Sequence, residues 1–260
     1  MESKAELTAR ISRTLSALPK ATRRTTDARV FALRRDAPAP PRVSSFSWRD
    51  QPGALGISKD QGKCAACSAF AFSAALEAKL RISGQAASMV DAGFLHTCVG
   101  HRGESDPDEI CRQGVDLQDL IDGIRLRGYL EGNPAPIYPF PSTSCSLGGT
   151  RAYSGGVDLP GPNVARAAIL EHPIVAEMLI WKDFSDASAQ AVYVPDPRTD
   201  GPWVHSVCLV GYTETTWIVQ NSFGPNWRDD QGFFQVALGS CGILSRCTLC
   251  PDFQGQTFSV

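Results

Sequence analysis

The chain has 260 residues, enough for one or two domains with a substantial core, and 43% hydrophobic against 20% charged residues is a globular composition, too apolar for a disordered chain. A net charge of -2 gives a nucleic-acid backbone no whole-molecule attraction, so nucleic acid is not expected as a partner. Nine cysteines is an odd count, which leaves at least one thiol unpaired whatever bridges form.

Residues 1–43 hold ten Lys or Arg against four acids, a net of +6, which leaves -8 on residues 44–260. Within this basic arm Leu7, Ile11, Leu15 and Leu18 recur at helical spacing and predict a short helix, ending near Pro19, whose apolar stripe needs a partner surface. No apolar run approaches the roughly 18–20 residues of a membrane span, and the N-terminus lacks a secretory apolar core, so the expected location is the cytoplasm, or outside the cell by a non-classical route. The run APAPPRV at 37–43 reads as a linker ahead of a body that begins near Phe46-Ser47-Trp48.

In the body, Cys67 to Ile82 predicts a helix stopped by Gly84, and Leu117, Leu120, Ile121 and Ile124 share one face of a second helix closed by Gly128. After a helical stretch around Val164–Leu170 the period changes. Ile174–Ile180, Ser206–Tyr212, Thr216–Gln220 and Gly232–Ala237 read as strands, several apolar enough to be buried. The order implies an α+β fold, a helical lobe over about 44–155 and an antiparallel β lobe over about 156–250, with a ligand site in the cleft between them.

The segment Gln61-Gly62-Lys63-Cys64-Ala65-Ala66-Cys67-Ser68-Ala69-Phe70 puts Cys67 in the first turn of the predicted helix, where the partial positive charge of a helix N-terminus favours a thiolate. A thiolate nucleophile still needs a proton donor for its leaving group, most often a histidine held by a third residue. His96, His101, His172 and His205 are the four available. A hairpin of the two strands at 206–212 and 216–220, turning near Thr213–Glu214, matches residues whose numbers sum to roughly 426–428 and brings His205 beside Asn221. The Asn amide oxygen can accept the ring N–H and fix the tautomer, leaving the other nitrogen for the thiol. Gln61 can offer amide donors to an oxyanion, so Cys67, His205, Asn221 and Gln61 form a set suited to acyl transfer.

Three blocks resemble the papain family of cysteine peptidases: Gln61-Gly62-x-Cys64-x-x-Cys67-x-Ala69-Phe70, then His205-Ser206-Val207 with Gly211-Tyr212, then Asn221-Ser222-Phe223-Gly224 followed by Trp227 and Gly232-Phe233. His205 lies 138 and Asn221 lies 154 residues after Cys67, in the order and spacing of that family. The resemblance implies a two-lobed papain-like fold and a cysteine endopeptidase acting through an acyl-enzyme at Cys67. It makes His205 the acid and base, Asn221 its orienter, and Gln61 with the Cys67 N–H the oxyanion hole. Glu77 falls where the family has a glutamate. Ala65 stands for the family's Gly, Ser68 for its aromatic residue and Phe223 for its Trp. Phe223 is expected to keep water from the His–Asn bond, and Ser68 to open the cleft wall.

The resemblance further suggests disulfides Cys64–Cys111 and Cys98–Cys145, with Gly114 at the cleft edge where a peptide backbone can pair. Arg246 would reach the bottom of the main specificity pocket and favour substrates with an acidic residue there. By position residues 1–43 are a prosegment, expected to act as an intramolecular inhibitor of the peptidase domain at 44–260. The expected partners are a protein or peptide substrate and this arm, with no membrane, in a monomer that needs no metal or cofactor. Transfer of the acyl group by an acyltransferase, transpeptidase or effector, and a non-catalytic peptide-binding module, are the alternatives; the complete set of four argues against the second.

The remaining cysteines and histidines take plainer readings. Cys64-x-x-Cys67 as a redox pair lacks the βαβ context of that motif. Cys208 alternates along a buried strand as a core thiol. Cys241, Cys247 and Cys250 suit a third disulfide and a spare thiol better than a zinc site, which needs a fourth ligand. His96, His101 and His172 read as surface or loop residues.

Overall fold

The computed structural model describes residues 2–17, 43–85, 89–101, 106–131, 145, 150–151, 155–158, 161–186, 192–228, 230–244 and 248–252. The arm supplies helix α1 (Lys4–Ala17), and the body opens with a short strand β1 (Phe46–Ser47) and a 3-10 turn at Trp48–Asp50. Then come α2 (Cys67–Ile82), α3 (Ala92–Phe94) running into a π-helical turn (Leu95–Gly100), α4 (Pro107–Gln113) and α5 (Leu117–Arg127). Strands β2 (Tyr129–Leu130), β3 (Thr150–Arg151) and β4 (Gly155–Asp158) lead to α6 (Pro162–Glu171). The remainder is β5 (Ile174–Ile180), a 3-10 segment (Lys182–Ser185), β6 (Val192–Tyr193), β7 (Trp203–Tyr212), β8 (Thr216–Gln220), β9 (Phe233–Ala237) and β10 (Thr248–Asp252).

The two strongest helices form for different reasons. α2 is rich in Ala and Leu, good helix formers, and is buried on nearly every face, which is why its apolar residues run around the helix. α5 is amphipathic: Leu117, Leu120, Ile121 and Ile124 are buried, the Asp116 side chain accepts from the Gln118 N–H, and Gly128 closes it at φ 71°. Both helices keep the expected limits, as do β5 and β8, while β7 begins three residues before the expected start.

Among the described residues the main sheet runs β4-β10-β5-β7-β8-β9-β6, antiparallel except for the β6–β9 pair. β7 is long enough to pair β5 over residues 203–209 and then β1, through Gly211 and Tyr212, on the same edge. A Cβ on Gly211 would come 2.4 Å from the Phe46 carbonyl oxygen, so only glycine admits β1 there. Alternation assigns the two faces. Ile174, Ala176, Met178 and Ile180 with Val207 and Leu209 join the core that also contains α6 residues. Val175, Cys208 and Val210 face the helical lobe, with α2, α3 and α5 residues. Cys208 is fully buried there with a free thiol, a core residue as expected.

The disulfides Cys64–Cys111 and Cys98–Cys145 both form, each across 47 residues of chain. On the chain-entropy account each is worth about 4 kcal/mol through the unfolded state. Together they staple the loop before α2 and the π-helical turn to the rest of the helical lobe.

Candidate active site

Cys67 is the first residue of α2, and its thiol lies beside Ser206, the neighbour of His205 on β7. The helix start alone favours a thiolate, but the thiol is only 5% exposed and the environment reverses that preference. Burial pushes the Cys67 thiol up, and Glu177 adds to the effect, outweighing hydrogen bonds from Ser206. In this arrangement Cys67 carries its proton at neutral pH.

His205 Nε2 donates to Asn221 Oδ1 at 2.8 Å. The β7–β8 ladder pairs Cys208 with Gln220, so Asn221, one residue further, falls opposite Val207 and diagonally beside His205 on the same face. An extra residue at Val210 shifts the register toward the turn, which therefore lies at Glu214–Thr215, one residue later than expected. Phe223 stacks on the His205 ring at 5.2 Å and 29°, and Phe184 packs against both rings. Burial holds the His205 imidazole down to about 4, opposed by the Asn221 bond, so the ring is neutral. Its Nδ1, the nitrogen left for a thiol, has no hydrogen-bond partner among the described residues.

Two loops meet to position Asn221 and Gln61. Ser58 Oγ donates to the Asn221 carbonyl (2.6 Å), the Gln61 N–H to the Ser222 carbonyl (2.9 Å) and the Gly224 N–H to the Lys59 carbonyl (2.9 Å). The Gln61 amide is then held at both ends: Oε1 accepts from Ser222 Oγ (2.5 Å) and Nε2 donates one hydrogen to the Cys64 carbonyl (2.7 Å). A second Nε2 hydrogen remains for another acceptor.

A buried ion pair anchors the loop. Lys59 Nζ donates to Glu77, Ser73 Oγ (2.7 Å) and the Val90 carbonyl (3.1 Å), while Glu77 also accepts the Val90 N–H (2.7 Å). Glu77 on α2 thus ties the strip carrying Gln61 to the helix carrying Cys67. Lys59→Met should lower unfolding free energy by roughly 3–5 kcal/mol by stranding the Glu77 charge, and Glu77→Gln in the same chain should recover most of it. Denaturant unfolding of the two variants checks this.

Helix α1 lies over the same region. Leu7, Ile11 and Leu15 are buried in one cluster with Ala65, Cys67, Phe184 and Phe223, the partner surface that its stripe required. Arg10 makes two hydrogen bonds to the Asp60 carboxylate (2.8 and 2.7 Å), and Thr14 Oγ1 donates to the Gly62 carbonyl (2.9 Å). Leu18, the fourth residue of the stripe, lies outside the described residues.

The other expected positions divide. Gly114 caps α4 at φ 63°, next to Val115, whose carbonyl accepts from Ser68 Oγ (2.8 Å). Ser68 does not open the cleft wall: it is buried, and its hydroxyl also meets Ser206 Oγ (3.0 Å), clasping one lobe to the other. Arg246 and Cys247 lie outside the described residues, as does the side chain of Cys250, while Cys241 is a buried free thiol. His96 and His172 are buried, contrary to the loop reading. His172 is held through its ring to the Pro173 carbonyl, and His96 sits against Cys64 on a π-helical turn that a 3.6-residue period does not expose. Burial holds the His96 ring down to about 3, with His101 adding to the effect.

Sequence reasoning missed Ser206, Ser222, Phe184, Asp60 and Arg10. Ser206 and Ser222 lie inside the His205 and Asn221 motifs, and Asp60 adjoins Gln61, so nearness to a motif was a usable signal for those three. Nothing local marks Phe184 or Arg10, whose roles depend on long-range packing.

The model of the papain family of cysteine proteases matches residues 42–250. The chain belongs to the papain family. Relatives within the family include vignain of Vigna mungo, 27% identical over 222 residues, covering 77% of this chain and 57% of that protein. Pro-cathepsin H of Mus musculus is 25% identical over 230 residues, covering 81% and 65%. The chain thus spans about three-fifths of the length of these curated relatives. Among solved papain-like folds, the recombinant stem bromelain precursor aligns with a TM-score of 0.65 at 21% identity, over 97% of this chain and 80% of that one. The Carica candamarcensis cysteine protease CMS1MS2, in complex with E-64, gives 0.62 at 21% identity, over 79% and 97%. At these identities the structural likeness concerns the fold, the expected two-lobed α+β papain architecture.

Proposed function

We propose that the chain is a cysteine endopeptidase held as a zymogen by α1. Cys67 is the nucleophile, His205 the acid and base, Asn221 its orienter, and Gln61 with the Cys67 N–H the oxyanion hole. The observation that carries this reading is the His205 Nε2–Asn221 bond under the Phe223 ring, which fixes the imidazole with Nδ1 left over for the thiol proton. In the uncovered site Cys67 loses its proton to Nδ1 and attacks the scissile carbonyl. The second Gln61 Nε2 hydrogen meets the oxyanion, and the imidazolium returns its proton to the leaving amine. Water, deprotonated by the same ring, then releases the acyl group from sulfur.

The covered state supports the zymogen half of the proposal. With the Leu7, Ile11 and Leu15 stripe seated, burial pushes the thiol up and holds the imidazole down, which disfavours the thiolate–imidazolium pair. The decisive experiment treats the full chain and an Ile11→Asp chain with a thiol-reactive epoxide, maps the adduct and assays an internally quenched peptide. Selective labelling of Cys67 that requires His205, with peptide cleavage in the Ile11→Asp chain, is expected. Labelling of Cys67 without any cleavage would point instead to acyl transfer, and no selective labelling would end the catalytic reading.

A further inference from the structure

Outside the catalytic set, three buried side chains converge beneath the loop that precedes α2. Cys64 Sγ lies 3.4 Å from His96 Nε2, Cys111 shares the disulfide with Cys64, and the three potential ligand atoms all lie within 4.8 Å of one another. The His101 ring meets the His96 ring edge-on, centroids 4.7 Å apart. Two cysteines and one histidine supply three of the four ligands of a structural zinc site, and none of these three side chains has a part in the hydrolysis proposed above.

We propose that in the reduced chain Cys64, Cys111 and His96 bind one zinc-class divalent ion, with the fourth position taken by His101 or a water. A tetrahedral ion with Zn–S near 2.3 Å and Zn–N near 2.0–2.1 Å separates sulfur from nitrogen by roughly 3.6 Å, close to the Cys64–His96 spacing already present. The two sulfurs must part to roughly 3.8 Å, a side-chain rotation for residues whose Cα atoms are 4.3 Å apart. Two thiolates cancel the charge of the ion, which a buried site requires.

The chemistry balances. A thiol-class reductant gives two electrons and two protons to the Cys64–Cys111 bond and becomes a disulfide itself. The ion then displaces both thiol protons to solvent. The His96 Nε2 hydrogen, which now goes to the Ile110 carbonyl at 3.2 Å, gives way to the Nδ1–H tautomer so that Nε2 can ligate. Disulfide and metal are thus exclusive alternatives for tying residue 64 to α4, and the loop before Cys67 stays fastened in a reducing milieu as in an oxidising one.

The test uses the full chain with Cys67→Ala, so that the catalytic thiol takes no metal, reduced with a phosphine, freed of reductant under anaerobic conditions and titrated with Co²⁺. One equivalent should give thiolate-to-cobalt charge transfer and tetrahedral visible bands, absent from the oxidised protein. Cys111→Ser and His96→Val should each weaken binding by at least about tenfold, the scale seen even for outer-shell losses. His96→Gln, which keeps a donor for the Ile110 carbonyl, should do the same and guards against misfolding, checked by circular dichroism. No tetrahedral spectrum in the reduced chain, or one unchanged in the folded Cys111→Ser and His96→Gln variants, overturns the proposal.

Discussion

An Ile11→Asp chain is expected to cleave an internally quenched peptide at least about 100-fold faster than the native full-length chain. Burying a single aliphatic side chain contributes roughly 1.5–3 kcal/mol, and the substitution also asks the covered state to bury a carboxylate in an apolar cluster. Ile11 is fully buried in the cluster that contains Cys67, and the new charge stands one residue from the Arg10–Asp60 pair. A loss of about 3 kcal/mol in docking is about 100-fold in the open fraction. Arg13→Asp changes an exposed position of the same helix and should leave the rate near that of the native chain. Equal rates for the native and Ile11→Asp chains, with both active, would remove the inhibitory role of α1.

In that activated background, Cys67→Ala should lower kcat/KM by on the order of 10⁴-fold or more, and His205→Ala by a similar factor. The two act as one unit, so the double variant should be no worse than the worse single one. Asn221→Ala is a milder change. The ring keeps its Phe223 and Phe184 packing and loses only the partner that fixes its tautomer. Its effect should fall on kcat more than on KM, as for a positioning residue. If Cys67→Ala retained more than a tenth of the activity, the nucleophile would have to be sought elsewhere.

The parts of this molecule that were legible in the sequence are those with local causes. α2, α5, β5 and β8 each carry their own period and punctuation, and the His205–Asn221 pairing follows from two strands joined by a short turn. Strands β1, β2, β3, β4, β6 and β10 were not read. β1 and β6 have only two residues each, and their pairing depends on partners far away in sequence. Within the candidate site, Cys67, His205, Asn221 and Gln61 were legible from their residue types and order. What escaped was the effect of the surroundings. The expectation of a thiolate at Cys67 considered the helix start and could not count the desolvation contributed by burial. The same blindness made Ser68 an opening where it is a clasp, and His96 a loop residue where it is packed against a disulfide.

On the proposed reading α1 is part of the same chain as the site it covers, so every active centre is issued with one inhibitor, and concentration has no influence on how well it is covered. A single cut between residues 17 and 43 would change that without disturbing any contact of the helix. The segment would stay seated at first, and its residence would become a bimolecular equilibrium. A nicked preparation would then be silent when concentrated and active when diluted, so its specific activity would rise on dilution while that of the intact chain stayed constant.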